Sequence, residues 1–368
     1  MKIAYLANVR FPSERAHAAQ IGHMCQAFSN NQVEVDLVVG KRVVATKEDM
    51  DKQLGFNSKF NVIRMQSCFF STKIKSVFYL SEFIFAVNFY FRLSKNKYEI
   101  VYSRSEWILF FLSYLLPSEK LIWESHEAKL SLPARRLLSL GIKTVVISDG
   151  IFETYAKFGV PEAQLKVGYD GIDESFFDKV DTKFEARERL SIDQSKKVVM
   201  YIGGLDEWKG IRTFCEASEI GEGKTFVVIG GSDEQISGLL DEYPKVTFLG
   251  QLPYPDLRNN QQAADVLVVP NTAKNDLSSK YTSPLKLFAH MASGVPLVAS
   301  DIPSITTVTG SNLVTLFVPD NATSLSECIS LVLTNNKESI EKSEKLKEIS
   351  KKYTWTKRAE SIISFVKA

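Results

Sequence analysis

Val198-Val199-Met200-Tyr201-Ile202-Gly203-Gly204-Leu205-Asp206-Glu207-Trp208-Lys209-Gly210 passes from a β-branched run through a glycine pair into a stretch that puts Ile211, Phe214, Cys215 and Ser218 on one helical face. A strand that ends in glycines and turns at once into an amphipathic helix opens a parallel crossover unit. The same pattern recurs outward in both directions. In the first half the strand candidates are Ile3 to Ala7, Val33 to Val39, Ile100 to Ser103, Leu121 to Trp123 and Thr144 to Ile147. In the second they are Val198 to Ile202, Thr225 to Ile229, Val246 to Leu249, Val266 to Val269 and Leu297 to Ala299. Helical stretches separate them, so each half is expected to form its own doubly wound α/β sheet.

A chain of 368 residues suits two such domains at about 100 to 200 residues each. Strand signals vanish in the charged stretch after Gly171-Ile172-Asp173-Glu174, which sets expected bounds of 1–174, a linker at 175–191, and 192–350. Trp355, Ile362, Ile363 and Phe365 resume an apolar helical pattern in 351–368, expected to return toward the first domain. Apolar residues at 45% and charged residues at 24% give enough apolar surface for two cores and argue against disorder. A net charge of +2 from 45 basic and 43 acidic side chains is far from the excess that nucleic acid as main partner would require. Cys25, Cys68, Cys215 and Cys328 lack metal or redox spacing and read as core residues of a cytoplasmic protein. The apolar run Ile3 to Ala7 is too short for a secretory segment, and Glu82, Asn88 and Arg92 interrupt Val77 to Leu93, so no spanning helix is expected.

Two loops suit an anion. Gly203 and Gly204 let backbone N–H groups approach a phosphate, and Lys209 beside a helix start supplies countercharge. A glycine pair serves a tight turn equally well, and Lys209 alone reads as readily as a solvated charge. In Thr282-Ser283-Pro284-Leu285-Lys286, Ser283 has the chemistry of an N-cap and Pro284 that of a first helical turn. The free N–H groups of that helix and its dipole favour an anion, and Lys286 in the first turn makes sense beside one. An exposed lysine on an ordinary helix is the equal alternative. Gly294 closes the helix as a C-cap.

These words in this order resemble glycosyltransferase family four: Tyr201-Ile202-Gly203 with Lys209-Gly210, Ala264-Asp265-Val266-Leu267-Val268-Val269-Pro270, and Ser283-Pro284-Leu285-Lys286-Leu287-Phe288 with Met291-Ala292-Ser293-Gly294-Val295-Pro296. Arg15-Ala16-His17, Val101-Tyr102-Ser103-Arg104-Ser105, Trp123-Glu124-Ser125-His126-Glu127 and Asp170-Gly171-Ile172-Asp173 extend the resemblance through the first half. It implies the GT-B fold, two Rossmann-like domains across a cleft, and retaining transfer of a sugar from a nucleoside diphosphate to a hydroxyl of a glycan or lipid-linked acceptor. Surface polysaccharide or glycoconjugate synthesis is the implied setting. The nucleotide sugar is a co-substrate, and no cofactor or metal is implied. The donor would rest on Gly203, Gly204, Lys209, Ser283, Pro284, Leu285 and Lys286. Arg15, His17, Arg104 and His126 would lie on the acceptor side, with His126 and Lys209 closest to the chemistry. From its residues alone, His126 reads equally as a satisfied histidine at a strand end.

Two positions depart from the family. Gly204 stands where an arginine is frequent, and the family's paired glutamates fall on Tyr281 and Ala289, so the carboxylate that would hold the ribose is missing at Ala289. A catalytically silent subunit that binds a sugar nucleotide or a partner enzyme is therefore the alternative, with an epimerase of the same fold behind it. The window from Lys73 to Lys97 places Phe78, Tyr79, Phe83, Phe85, Phe89, Tyr90 and Phe91 between Lys73, Lys75, Arg92, Lys95 and Lys97. Its narrow polar stripe of Ser81, Asn88, Arg92 and Lys95 favours a mostly buried crossover helix, with contact at the inner membrane face as the second reading.

Overall fold

A computed structural model describes every residue except 14–15, 42–45, 67–73 and 94–97. The chain divides into two compact units, Met1–Asp170 with Trp355–Ala368, and Gly171–Thr354.

The first unit holds a seven-stranded parallel sheet of β1 (Lys2–Ala7), β2 (Glu34–Gly40), β3 (Asn61–Met65), β4 (Ile100–Ser103), β5 (Leu121–Ser125), β6 (Lys143–Val146) and β7 (Leu165–Val167) in the order β3-β2-β1-β4-β5-β6-β7. Parallel strands need crossovers, and the covering helices bury both sheet faces, which is why the central strands read as continuous apolar runs. Tyr5 on β1 is flanked by Leu37 on β2 and Tyr102 on β4, and the two tyrosine rings lie 5.0 Å apart. Helix Trp355–Lys367 packs in this unit: Trp355 stacks on His23 of helix Ala16–Asn30 at 5.7 Å, and Asn31 Nδ2 donates to the Thr356 carbonyl at 3.1 Å.

The second unit holds six parallel strands, β8 (Lys197–Ile202), β9 (Lys224–Ile229), β10 (Val246–Phe248), β11 (Val266–Val269), β12 (Leu297–Ser300) and β13 (Thr315–Phe317), in the order β10-β9-β8-β11-β12-β13. Val199, Tyr201, Phe214, Phe226, Val266, Val298 and Leu325 share one core beneath helices Ile211–Ile220 and Ala322–Thr334. The stretch 175–191 carries its own short helix, Lys183–Arg189, with a capping box from Thr182 and Glu185. Its buried Arg187 reaches Asp265 at 2.7 Å. In both sheets the strand order reverses beside the first strand, between β1 and β4 and between β8 and β11. Such reversals part the following loops and open a crevice at the carboxyl ends of the strands.

Helix Lys75–Leu93 corrects the reading of a mostly buried crossover. Ser81 and Glu82 on it are buried. Asn8 Nδ2 donates to Ser81 Oγ at 3.0 Å and to Glu82 Oε1 at 2.8 Å, and Ser105 Oγ donates to Glu82 Oε2 at 2.5 Å. Phe78, Leu80, Phe83 and Phe91 are 37 to 69% exposed instead. Ser81 and Glu82 turn inward because Asn8 and Ser105 offer them partners, Phe85 and Phe89 are buried beside them, and Arg92 stays exposed, so one face is buried and the other leaves aromatic residues in solvent. Lys73, Lys95 and Lys97 lie outside the described residues.

Candidate active site

In the second unit the loops after β8 and β11 meet at the strand reversal. Gly210 has φ 75°, and a Cβ there would stand 1.6 Å from the carbonyl oxygen of Pro270, so only glycine lets the two loops close. Thr272 N–H donates to the Trp208 carbonyl at 3.3 Å and Ser278 Oγ to the same oxygen at 3.0 Å.

Lys286 and Lys209 lie along the glycine pair. A Cβ on Gly203 would meet Lys286 Cδ at 3.7 Å, and one on Gly204 would stand 2.6 Å from Lys209 Nζ. An arginine at 204 would bring a third cation into this loop and push the flexible end of Lys209 aside. Lys286 Nζ sits 4.8 Å from the centroid of the Tyr201 ring and donates to the Lys209 carbonyl at 3.4 Å. Tyr201, whose hydroxyl donates to the Gly204 carbonyl at 2.6 Å, was not singled out by sequence. Lys209 Nζ pairs with half-exposed Asp206 at 2.6 Å. Among the described residues no carboxylate pairs with Lys286. Burial, and then the charge of Lys209, push its pKa well below the usual lysine range. A largely buried ammonium without a counterion favours an incoming anion.

The helix start differs from the sequence reading. Helix Leu285–Ser293 begins with Pro284 at the N-cap and no side-chain cap, so buried Ser283 stands one residue too early to cap it. Pro284 has no side-chain acceptor to offer, and the first-turn N–H groups of Leu285 and Lys286 face no capping oxygen. That keeps the anion reading on its feet for a different reason. Ala289 is buried one turn further on. His290, also buried, takes Gln261 Nε2 onto Nδ1 at 2.8 Å, and burial followed by the charge of Lys286 pushes it down to about 3.

A second polar cluster sits in the first unit, beyond the carboxyl ends of β4, β5 and β7. Arg104 and His126 come together: an Arg104 terminal nitrogen lies 3.0 Å from His126 Nδ1, and the other donates to Gln20 Oε1 at 2.6 Å. His126 Nε2 lies 2.6 Å from Oε1 of fully buried Glu124. Glu124 Oε2 accepts from the Tyr102 hydroxyl and lies 3.2 Å from Arg358, which also approaches Asp170 at 3.5 Å. Gln20 Nε2 donates to Asp170 and closes the ring of contacts. His17 is half-buried in the first turn of helix Ala16–Asn30, and Arg15 lies outside the described residues. Sequence reasoning missed Glu124, Asp170, Gln20 and Arg358. The available signals were Glu124 two places before His126 at the end of β5, and Asp170 within a stretch that carries the resemblance without an assigned role.

Burial would raise Glu124, but Arg358, the hydrogen bond from His126 and Arg104 hold it well below the carboxylate range. Burial pushes Asp170 up to about 6 despite Arg358. Burial and then Arg104 push His126 down to about 4.

Residues 196–335 match the family described as Glycosyl transferases group 1. TuaC of Bacillus subtilis (strain 168), a glycosyltransferase whose name assigns it to teichuronic acid biosynthesis, is 28% identical over 149 residues, 40% of this chain and 36% of its own. The uncharacterized glycosyltransferase MJ1607 of Methanocaldococcus jannaschii is 26% identical over 242 residues, 61% of this chain and 60% of its own. The chain thus matches less than two thirds of either relative's length. The fold is shared with Anabaena HepE, solved with UDP and glucose, at a TM-score of 0.73 and 16% identity over 100% of both chains.

Proposed function

We propose that the chain, whose residues 196–335 match the glycosyl transferases group 1 family and whose two units share the Rossmann-like GT-B fold, is a member of that family and transfers a sugar from a nucleoside diphosphate to a hydroxyl acceptor with retained configuration. The carrying observation is the uncompensated Lys286 beside Lys209, Gly203 and Gly204 at an uncapped helix start. As the glycosidic bond breaks, negative charge grows on the departing diphosphate. Preplaced ammonium groups and N–H donors stabilise that charge without reorganising. Two lysines here can serve where another enzyme would use a divalent cation. The UDP and glucose held by HepE support a donor of this chemical class. On the acceptor side, Arg104 and His126 supply the polar contacts for a hydroxyl of a glycan or lipid-linked acceptor, in surface polysaccharide or glycoconjugate synthesis. Titration calorimetry against a panel of nucleoside diphosphates, with mass spectrometry of products from their sugars, tests the reading. Failure of every nucleotide to bind overturns it, and binding without turnover favours the silent subunit that Ala289 suggests.

Ala289→Glu tests that second reading. A carboxylate one turn beyond Lys286 should raise affinity for the nucleoside diphosphate about ten- to hundredfold if it reaches the ribose hydroxyls, since a charged hydrogen bond contributes about 1.5 to 3 kcal/mol. Unchanged affinity in a variant that keeps its melting temperature would rule it out.

The exposed aromatic face of helix Lys75–Leu93 supports contact with an anionic membrane surface, and among the described residues no helix is long and apolar enough to cross one. The Phe83 and Phe111 rings lie 5.1 Å apart, and Trp107, Phe110 and Tyr114 continue the chain of rings to Arg136, 3.6 Å over Tyr114. Lys75, Arg92 and Arg135 are exposed around them. Aromatic rings ringed by cations suit acidic headgroups at an acyl boundary. The protein is expected to sediment with phosphatidylglycerol vesicles, less so with phosphatidylcholine or high salt. Phe83→Ser with Phe91→Ser should abolish the difference, and equal sedimentation with both lipids would remove the idea.

A further inference from the structure

The ring of contacts around Glu124 is drawn together by a residue from the far end of the chain. Arg104 has only donors, so His126 Nδ1 must accept from it, and the imidazole proton must then sit on Nε2 and be donated to Glu124 Oε1. Both ring nitrogens are engaged, and that arrangement holds only while Glu124 stays ionised and keeps Oε1 turned toward the ring. The other oxygen, Oε2, is the one that meets Arg358 and the Tyr102 hydroxyl. Arg358 is 6% exposed and its guanidinium lies 5.6 Å over the Trp355 ring one turn earlier, itself stacked on His23. Its position is therefore set by helix packing rather than by Glu124. None of its three nitrogens makes an aligned hydrogen bond among the described residues, although two reach ion-pair distance of Glu124 and Asp170. Arg358 acts on the carboxylate as a fixed positive charge more than as a hydrogen-bonding clamp.

We propose that Arg358 is a positioning residue: by holding Glu124 ionised and oriented, it locks His126 as the neutral Nε2–H tautomer with Nδ1 on Arg104. The two polar side chains on the acceptor side are then pre-organised by the C-terminal helix. That functional meaning rests on the acceptor-side reading above; the lock itself does not. The titratable and charged groups that surround the pair are Tyr5 from β1, Tyr102 from β4 and Arg104 after it, Cys25 from helix Ala16–Asn30, Asp170 after β7, and Arg358. Removing Arg358 makes this set more negative by one charge, so its members bind protons at higher pH: Asp170, already up at about 6, rises further, and His126, bonded to Glu124, rises with it.

The test is nitrogen-15 spectroscopy of histidine-labelled full chain, with His126 assigned by a His126→Asn variant. In the wild type, Nδ1 should show the shift of a lone-pair nitrogen, Nε2 that of a protonated one, and neither should titrate between pH 8 and 5. A wild-type ring protonated on Nδ1, or titrating as an ordinary histidine, overturns the proposal whether or not any variant folds. Arg358→Gln should move the His126 titration up by about one pH unit or more. Arg358→Lys, which restores the charge, should bring it back to within about half a unit. A folded glutamine variant with an unmoved ring, or a folded lysine variant with a freed one, also overturns it. A purely structural arginine would lower the melting temperature and leave the ring unmoved. A locked ring in a chain that neither binds nor turns over a sugar nucleotide leaves the lock standing and removes the acceptor-side reading instead.

Discussion

Lys286→Met is expected to weaken nucleoside diphosphate binding about ten- to hundredfold and, at neutral pH, to raise the melting temperature of the unliganded protein. Both effects come from the same deficit. The ammonium is largely buried beside Tyr201 and the Lys209 carbonyl, with a second lysine nearby and no carboxylate paired to it among the described residues. Its folded pKa is depressed below the unfolded value of 10.5. Between those two values the unfolded chain binds the extra proton, so stability rises with pH across that window and the charge is a burden below it. Methionine keeps most of the volume and removes the burden. A diphosphate reverses the balance by supplying the missing negative charge, and a charge-assisted hydrogen bond to phosphate is among the stronger contacts available. Calorimetry and thermal unfolding of the two proteins check both signs. A lower melting temperature with unchanged affinity would make Lys286 a stabilising surface residue and remove it from the site. Lys209→Met should weaken binding less, because Lys209 already has Asp206 and must exchange one partner for another.

How much of this was readable in the sequence depends on how local each feature is. All ten strands inferred from apolar runs exist, and they include every interior strand of both sheets. The three that escaped, Asn61–Met65, Leu165–Val167 and Thr315–Phe317, are all sheet edges. An edge strand pairs on one side only and can be short or polar, so Asn61 and Arg64 in β3 and Lys166 in β7 break the run that betrays an interior strand. The glycine pair and two lysines of the second unit were legible because a strand, a turn and a helix start carry their chemistry within a few residues. The exact cap was not, since Ser-Pro permits two registers and the backbone takes the one with Pro284 outside the helix. Arg104 and His126 were named, but the contacts that join them to Gln20, Glu124, Asp170 and Arg358 were illegible for the opposite reason. These residues come from five segments, and neither helical nor strand periodicity relates Arg358 to Glu124. Burial misled the reading of Lys75–Leu93, where period alone cannot tell a helix buried nearly all round from one that leaves Phe78, Phe83 and Phe91 in solvent.

Glu124 and Asp170 share Arg358 yet should respond to mutation with opposite signs, which gives the cluster its sharpest thermodynamic test. Glu124 is fully buried and held ionised by Arg358, His126 and Arg104, so Glu124→Gln leaves Arg358 with a weakened partner set and should lower the unfolding free energy by about 3 to 5 kcal/mol at pH 7. For Asp170, burial outweighs Arg358 and raises the folded pKa from 3.8 to about 6. Between those values the folded chain holds a proton that the unfolded chain has lost, so this contribution is present at low pH and disappears as pH rises through about 6. His126 runs the other way: its folded pKa of about 4 lies below the unfolded 6.5, and its contribution grows as pH rises between them. From pH 4 to 6 the two nearly cancel in the wild type. Asp170→Asn removes one of them, so its stability should climb by about 3 kcal/mol over that interval at roughly 1.4 kcal/mol per pH unit, while the wild type stays nearly flat. Urea unfolding followed by tryptophan fluorescence in a Trp208→Phe background, which leaves Trp107, Trp123 and Trp355 in the first unit, reads its transition. Parallel pH profiles for the two proteins would mean that Asp170 titrates normally and is not desolvated by the ring of contacts. A steep wild-type rise that Asp170→Asn leaves unchanged would leave His126 as the only titrating member, and the balance between the two carboxylates on Arg358 would then rest on Glu124 alone.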